Sequence, residues 1–254
     1  MKLWVDDRIV DSESAPVLEG FWPEGSGIFE TIRTQNRMVF ELGRHMRRAI
    51  STCRDVGIKA PSESLVRTAI SELFSIEPHE AGKLRLHFSS QHFIALHQKY
   101  LPLEGSLKIV LAPKPIDQVT PVYKRYPYTS HLSRLEEIEK QGFHEVLSYN
   151  SQGFLTEGAV SNFLFRMKGH WFTTPLTAGV LPGVMRAIAI ERCGVSVRNI
   201  HKDHVGEIES ALTLSSLKIA MPISEIDGRE LSMDQDLKDL VSLIREKTQM
   251  SSVD

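Results

Sequence analysis

A chain of 254 residues and 28.7 kDa, 41% apolar and 24% charged with a formal net charge of -2, has the balance of a globular protein of one or two domains. The near-neutral charge gives no electrostatic reason to expect a nucleic acid or an anionic membrane as partner. Cys53 and Cys193 stand far apart and the ten histidines form no His-Glu-x-x-His pattern, so neither a disulfide framework nor a metal site is expected. The N-terminal residues lack the apolar run of a signal peptide, and no stretch approaches transmembrane length. The cytoplasm is the default expectation.

In chain order, residues 3–5 read as a short strand, followed by a polar turn at Asp6-Asp7 and extended residues from Arg8. After the turn at 23–27, residues 28–34 are rich in β-branched and aromatic side chains, and Gln35-Asn36-Arg37 predicts a hairpin turn into 38–40. The spacing predicts a helix over 42–56, with Met46, Ala49, Ile50 and Cys53 on one stripe and Arg44, Arg47 and Arg48 nearer its edge. A second helix is expected over 62–74 with Ser62 as cap, then strands over 83–88, 93–96 and 107–111. The proline-rich stretch 112–121 marks the domain boundary. It suggests a smaller N-terminal domain over 1–115, a linker over 116–122 and a larger domain over 123–254.

Beyond the linker, a helix is expected over 132–140, a strand over 145–149, a turn over 150–153 and a strand from 162. A turn bracketed by Gly179 and Gly183 opens a helix over 184–193. A helix-like stretch at 204–210, a strand over 211–214 and a helix over 231–246 follow, and the residues after Lys247 are expected to fray. Strands and helices mixed in both halves, with no Gly-x-Gly-x-x-Gly after a strand, indicate α+β rather than a regular βαβ series.

Several blocks carry chemistry in combination. Leu155-Thr156-Glu157-Gly158-Ala159-Val160-Ser161-Asn162 places a turn carboxylate, commonly a solvated residue, beside a Ser-Asn pair. Leu181-Pro182-Gly183-Val184-Met185-Arg186 is a glycine-led turn opening a helix, a place where unpaired amides can meet an anion. Ser215-Ser216 follows a strand, His45-Met46-Arg47-Arg48 presents a guanidinium, and Gly25-Ser26-Gly27-Ile28-Phe29-Glu30-Thr31 precedes them all.

From residue 4 to 228 these blocks, in this order, resemble the class-IV aminotransferase family, the fold-type IV pyridoxal-phosphate enzymes. The resemblance implies two α/β domains with the cofactor cleft between them and pyridoxal 5'-phosphate as cofactor. It implies Glu157 on the pyridine nitrogen, keeping the ring electron-withdrawing, and Arg48, Val184, Met185, Ser215 and Ser216 on the phosphate. Thr31, Arg85 and Tyr128 are implied as walls of a substrate pocket. For Arg85 a satisfied charge on a strand face is the competing reading, and for Tyr128, with Tyr123 and Tyr126, it is aromatic packing. Relatives are usually homodimers, so the same is expected here.

One element departs from the pattern. Ser130-His131-Leu132-Ser133-Arg134-Leu135-Glu136 is similar to the Lys-His-Leu-Asn-Arg-Leu-Glu element of 4-amino-4-deoxychorismate lyases, with serine at the position of the Schiff-base lysine. A hydroxyl forms no Schiff base and shuttles protons poorly near neutral pH. Loss of ordinary catalysis, a substitute amine at Lys124 or Lys218, and an altered register or introduced serine all stay open. Along a straight strand Lys124 would stand about 20 Å from position 130, too far to replace its neighbour without a bend.

The resemblance first suggests a lyase that eliminates pyruvate and leaves 4-aminobenzoate, a step of folate biosynthesis acting on an aminodeoxychorismate-like substrate. The alternatives are a branched-chain or D-amino-acid aminotransferase acting on an amino acid, and a non-catalytic ligand-binding protein on the same fold.

Overall fold

The computed structural model describes residues 1–253. Among these the elements in chain order are β1 (Lys2–Val5), β2 (Arg8–Asp11), β3 (Gly27–Gln35), β4 (Met38–Phe40), α1 (Leu42–Asp55), α2 (Glu63–Ile76), β5 (Ala81–Phe88), β6 (Phe93–Lys99), β7 (Leu107–Leu111) and β8 (Arg125–Tyr126). They continue with α3 (Thr129–Glu139), β9 (Glu145–Leu147), β10 (Asn162–Met167), β11 (His170–Thr173), α4 (Val184–Arg192), β12 (Ser196–Val197), β13 (Ser210–Ser215), β14 (Ile219–Ile226), β15 (Arg229–Glu230), α5 (Gln235–Lys247) and β16 (Met250–Ser251).

The chain divides into two units. One holds Met1–Pro102, Tyr123–Tyr128 and the chain from Gln249; the other holds Leu103–Val122 and Thr129–Thr248. This differs from domains over 1–115 and 123–254 joined by a linker over 116–122, because β7 pairs with β14 and β9, whereas β8 and β16 pair with β3 and β4. Sheet pairing, which local composition does not encode, decides membership.

The first unit is an antiparallel sheet in the order β16-β4-β3-β5-β6-β1-β2, with β8 beside β3. Asn36 and Arg37 both take positive φ (48° and 65°), the geometry of a tight hairpin whose twist matches its strands. Ile28 and Ile32 of β3, with Leu84 and Leu86 of β5, form a core with Met46, Ala49 and Cys53 of α1 and Val66, Ile70 and Leu73 of α2. Ile50, expected on the apolar stripe of α1, is instead 44% exposed. Ser62 caps α2 as expected, its Oγ accepting from Leu65 N at 3.2 Å.

Among the described residues, those after Lys247 do not fray, contrary to expectation. Met250 and Ser251 pair with Phe40 and Val39, and Gln249 N donates to Glu41 Oε1 at 2.7 Å. The tail covers what would otherwise be an open sheet edge at β4.

The second unit is a sheet in the order β12-β11-β10-β13-β14-β7-β9, with β15 on β14. Phe163 and Phe165 of β10 pack with Met221 and Ile223 of β14, Leu107 and Ile109 of β7, and Leu155. Helices α4 and α5 pack against β13 and β14 respectively. Arg166 on β10 donates to Glu209 (3.1 Å), Asp234 (2.6 Å) and Asp236 (3.1 Å), and Asp234 also caps α5 through Leu237 N. That cap explains why the last helix starts at Gln235 rather than at 231.

Helix α3 starts at Thr129, three residues before the expected start. Ser130 therefore lies in a helical first turn, and the straight strand from Lys124 to Ser130 is not what forms. The stretch expected as helix at 204–210 is a 3₁₀ turn, Lys202–Glu207, leading into β13. No described helix is long and apolar enough to cross a membrane.

Candidate functional site

In the second unit the site is built around Glu157, in the connection between β9 and β10. The flanking backbone is locked, with Ser148 N donating to Glu157 O (3.1 Å) and Thr156 N to Ser148 O (2.8 Å). The side chain is 6% exposed, so the solvated-turn reading does not hold. Gln118 Nε2 donates to its Oε1 at 3.0 Å, while Asn162 Nδ2 (3.0 Å) and Leu181 N (2.8 Å) donate to Oε2. The carboxylate is thus oriented before any ligand arrives.

Asn162 couples two sequence blocks. Its Nδ2 reaches Glu157, and its Oδ1 lies where a side chain at position 183 would begin: a Cβ on Gly183 would come within 1.9 Å of that oxygen. Gly183 is there because Asn162 occupies the space a Cβ needs. It is also the N-cap residue of α4 and makes no side-chain cap. The first helical bond is Ala187 N to Gly183 O at 3.0 Å. The N–H groups of Val184 and Met185 precede it and have no partner within the helix, the arrangement that receives a phosphate.

Arg186 faces inward and donates through Nε (3.2 Å) and Nη2 (2.7 Å) to Thr174 O. Burial lowers its pKa, with the Glu157 charge acting in the opposite sense. Ser215 closes the β13–β14 turn, its Oγ accepting from Lys218 N at 3.2 Å. Ser216 and Lys218 are half-buried in that turn. Ser130 is exposed at the start of α3, and its neighbour His131 places Nδ1 3.0 Å from Ala159 O. Position 130 is thereby held beside the Glu157 loop, and it carries a hydroxyl rather than an amine.

In the first unit, Arg48 of α1 grips Glu30 of β3 in a bidentate pair, Nε to Oε1 at 2.8 Å and Nη2 to Oε2 at 2.5 Å. His45 Nδ1 lies 2.7 Å from Glu30 Oε2. Burial alone would push the Glu30 carboxyl up, but Arg48 and His45 hold it down to about 2. Burial pushes His45 below its ordinary 6.5 against the pull of Glu30. Both folded values are depressed, so both groups stabilise the unit above their ordinary values, and that stability is lost as pH falls. The His45 contribution falls away below pH 6.5, and that of Glu30 from 4.5 toward about 2. From pH 7.5 to 5.5, the protection of α1 and β3 against hydrogen exchange, with rates taken relative to the intrinsic rate at each pH, is expected to fall more than that of β13. The thermal midpoint should fall by roughly 2–4 °C for each kcal/mol lost. An equal loss of protection in both units would contradict this assignment.

Thr31 and Arg85 are register partners on β3 and β5. Arg85 Nη1 donates to Gly20 O at 3.1 Å and the guanidinium lies 4.5 Å from the Trp22 ring centre; burial lowers its pKa to about 10. The Tyr128 ring packs edge-on against Phe29 at 4.9 Å. Lys124 Nζ lies 4.3 Å from the Phe29 ring and 5.0 Å from the Tyr128 ring.

Gln118 and Asn162 are the partners of Glu157 that reasoning from sequence did not assign. Asn162 had a signal in its Ser-Asn pair. Gln118 had none, because it sits in a proline-rich stretch 39 residues from the carboxylate it orients. Among the described residues no group of three or more His, Cys, Asp or Glu side chains is arranged to hold a metal ion.

A family model for amino-transferase class IV matches residues 27–226. Over 97% of this chain and 95% of the relative, the sequence is 22% identical to a putative branched-chain-amino-acid aminotransferase of Methanocaldococcus jannaschii. It is 24% identical to a putative aminodeoxychorismate lyase of Schizosaccharomyces pombe, over 73% of this chain and 80% of the relative. The crystal structure of a branched-chain aminotransferase from Thermoproteus uzoniensis superposes with a TM-score of 0.84 at 23% identity, covering 97% of this chain and 94% of that one. At that identity the superposition establishes the fold alone.

Proposed function

Because the chain belongs to the class-IV aminotransferase family, we propose that it binds pyridoxal 5'-phosphate in its second unit and exchanges an amino group between an amino acid and a 2-oxo acid. The observation that carries this reading is the buried Glu157 carboxylate, oriented by Gln118, Asn162 and Leu181. Such a carboxylate suits a protonated ring nitrogen. The cofactor, when bound, supplies an electron sink for charge at the substrate α-carbon.

The chain's own residues then have distinct tasks. Glu157 holds the ring-nitrogen proton. The Val184 and Met185 amides receive phosphate oxygens at the opening of α4, with the Ser215 and Ser216 hydroxyls as further donors. Ser130 supplies no amine, so the cofactor is held here without a covalent bond to that position, and another base or water carries the proton taken from the substrate α-carbon. The homodimer common among relatives is part of the same reading, checked by light scattering.

The ordering of activities follows the comparisons. Pyruvate elimination ranks first on the element from Ser130 to Glu136, yet the putative aminotransferase relative aligns with 97% of the chain against 73% for the putative lyase. We therefore place amino-group exchange ahead. Incubation with pyridoxamine phosphate and a branched-chain 2-oxo acid is expected to yield the amino acid. Pyruvate released from aminodeoxychorismate without such exchange would reverse the order. Bound cofactor with neither product would identify a binding protein.

A further inference from the structure

Ser161, the other half of the Ser-Asn pair, points away from Glu157 and toward a second buried carboxylate. Glu145, the first residue of β9, is completely buried. Its Oε1 accepts from Val146 N (3.0 Å) and Ala159 N (2.8 Å), and its Oε2 from Ser161 Oγ (2.7 Å) and Val160 N (3.3 Å). Three of these four donors belong to the residues directly after Glu157-Gly158. The turn they form is closed by Gly158 N donating to Ser161 O at 2.7 Å.

Gly158 supplies an independent sign of how closely this turn wraps the carboxylate. A Cβ there would lie 2.6 Å from Glu145 Cδ and 2.7 Å from Ser161 Oγ. The turn therefore has the Glu145 carboxylate as its centre and leaves no room for a side chain at 158. Its two ends are Glu157 and Asn162, which bond to each other at 3.0 Å. Its middle residue, Ala159, offers the carbonyl that holds His131 beside position 130.

We infer that Glu145 is the positioning residue of the cofactor site, acting through the turn at 158–161 to set the Glu157 carboxylate and the start of α3. This rests on the reading that Glu157 meets a protonated cofactor ring. Glu145 touches no ligand; it works by placing acceptors where three successive residues need them. The positions of its two acceptor oxygens are what the turn depends on. In Glu145→Gln the amide oxygen still accepts from Val146 and Ala159, but the NH₂ replaces the oxygen that accepts from Ser161 Oγ and Val160 N, and it leaves the Val160 N–H facing a donor. In Glu145→Ala the turn loses its centre.

The test measures pyridoxal phosphate binding to the full chain by absorbance, together with the pH dependence of the bound-cofactor band, which reports ring-nitrogen protonation. Glu145→Gln, which keeps one of the two acceptor oxygens, should lose about threefold, whereas Glu145→Ala should lose roughly tenfold or more, with a shifted pH profile, as displaced site groups do. Should the alanine variant not fold, Ser161→Ala, which removes one donor only, should still weaken binding by about threefold. A folded alanine variant that matches the unaltered chain in affinity and profile would overturn the inference. So would a glutamine variant as impaired as alanine, or a Ser161→Ala variant with no loss. Failure of the unaltered chain to bind pyridoxal phosphate would instead strike the functional reading itself.

Discussion

Ser130→Lys is expected to convert a chain that forms no covalent bond with pyridoxal phosphate at position 130 into one that does, with one adduct per chain after borohydride reduction. The expectation follows from the placement of α3. Ser130 is exposed in the first turn of that helix, and His131 ties the turn to Ala159, two residues from Glu157. An amine introduced there enters beside the oriented carboxylate, where a carbonyl held by the site would meet it. Peptide mapping of the reduced protein should place the added mass on the peptide containing residue 130. A variant that folds and binds the cofactor yet gives no adduct at 130 would show that the position does not face the site.

The second large effect is expected at Glu157. Replacing it with alanine removes the acceptor of three donors and the partner for a ring-nitrogen proton. Hydrogen bonds to charged groups are worth about 1.5–3 kcal/mol, so affinity for pyridoxal phosphate should fall by roughly 10- to 100-fold. Glu157→Gln separates charge from shape, because it retains an acceptor oxygen but does not favour a protonated ring. It should bind with an intermediate loss, and its bound cofactor should absorb as the unprotonated ring. Wild-type affinity in the alanine variant would mean that Glu157 serves only the loop. Circular dichroism guards the comparison, since leaving Leu181 N and the Asn162 amide unpaired costs stability as well.

Local pattern made much of the fold legible. The apolar spacing of 42–56 matches α1, the β-branched run at 28–34 lies inside β3, and Ser62 caps α2. Gly183 opens α4 where the glycine-led turn indicates. What local pattern could not carry is pairing between distant segments. The return of Met250 to Phe40 spans most of the chain, and nothing in the composition of 248–253 distinguishes an edge strand from a frayed tail. The assignment of β7 to the second unit likewise depends on its partners.

The same division holds within the site. Thr156-Glu157-Gly158 and Ser161-Asn162 stood out because they are contiguous, and the structure gives each a specific task. Glu157 is oriented from three sides, Gly158 makes room for Glu145, Ser161 donates to Glu145, and Asn162 joins Glu157 to the opening of α4. Gln118 and Glu145 were invisible as site residues because their contacts arise only on folding. Arg48 was legible as a cation, but its bidentate pairing with Glu30 was not. Ser130 was legible as a departure from the pattern, and it lies exposed in the first turn of α3.

On the proposed reading, this chain holds pyridoxal phosphate through Glu157 and the α4 opening, without a lysine bond. Titration of the purified full chain with the cofactor, followed by borohydride reduction and intact-mass measurement, addresses it most directly. Saturable one-to-one binding that dialysis reverses, with no stoichiometric mass increase after reduction, is the predicted result. Absence of saturable binding, or a stoichiometric adduct on Lys124 or Lys218, would contradict it.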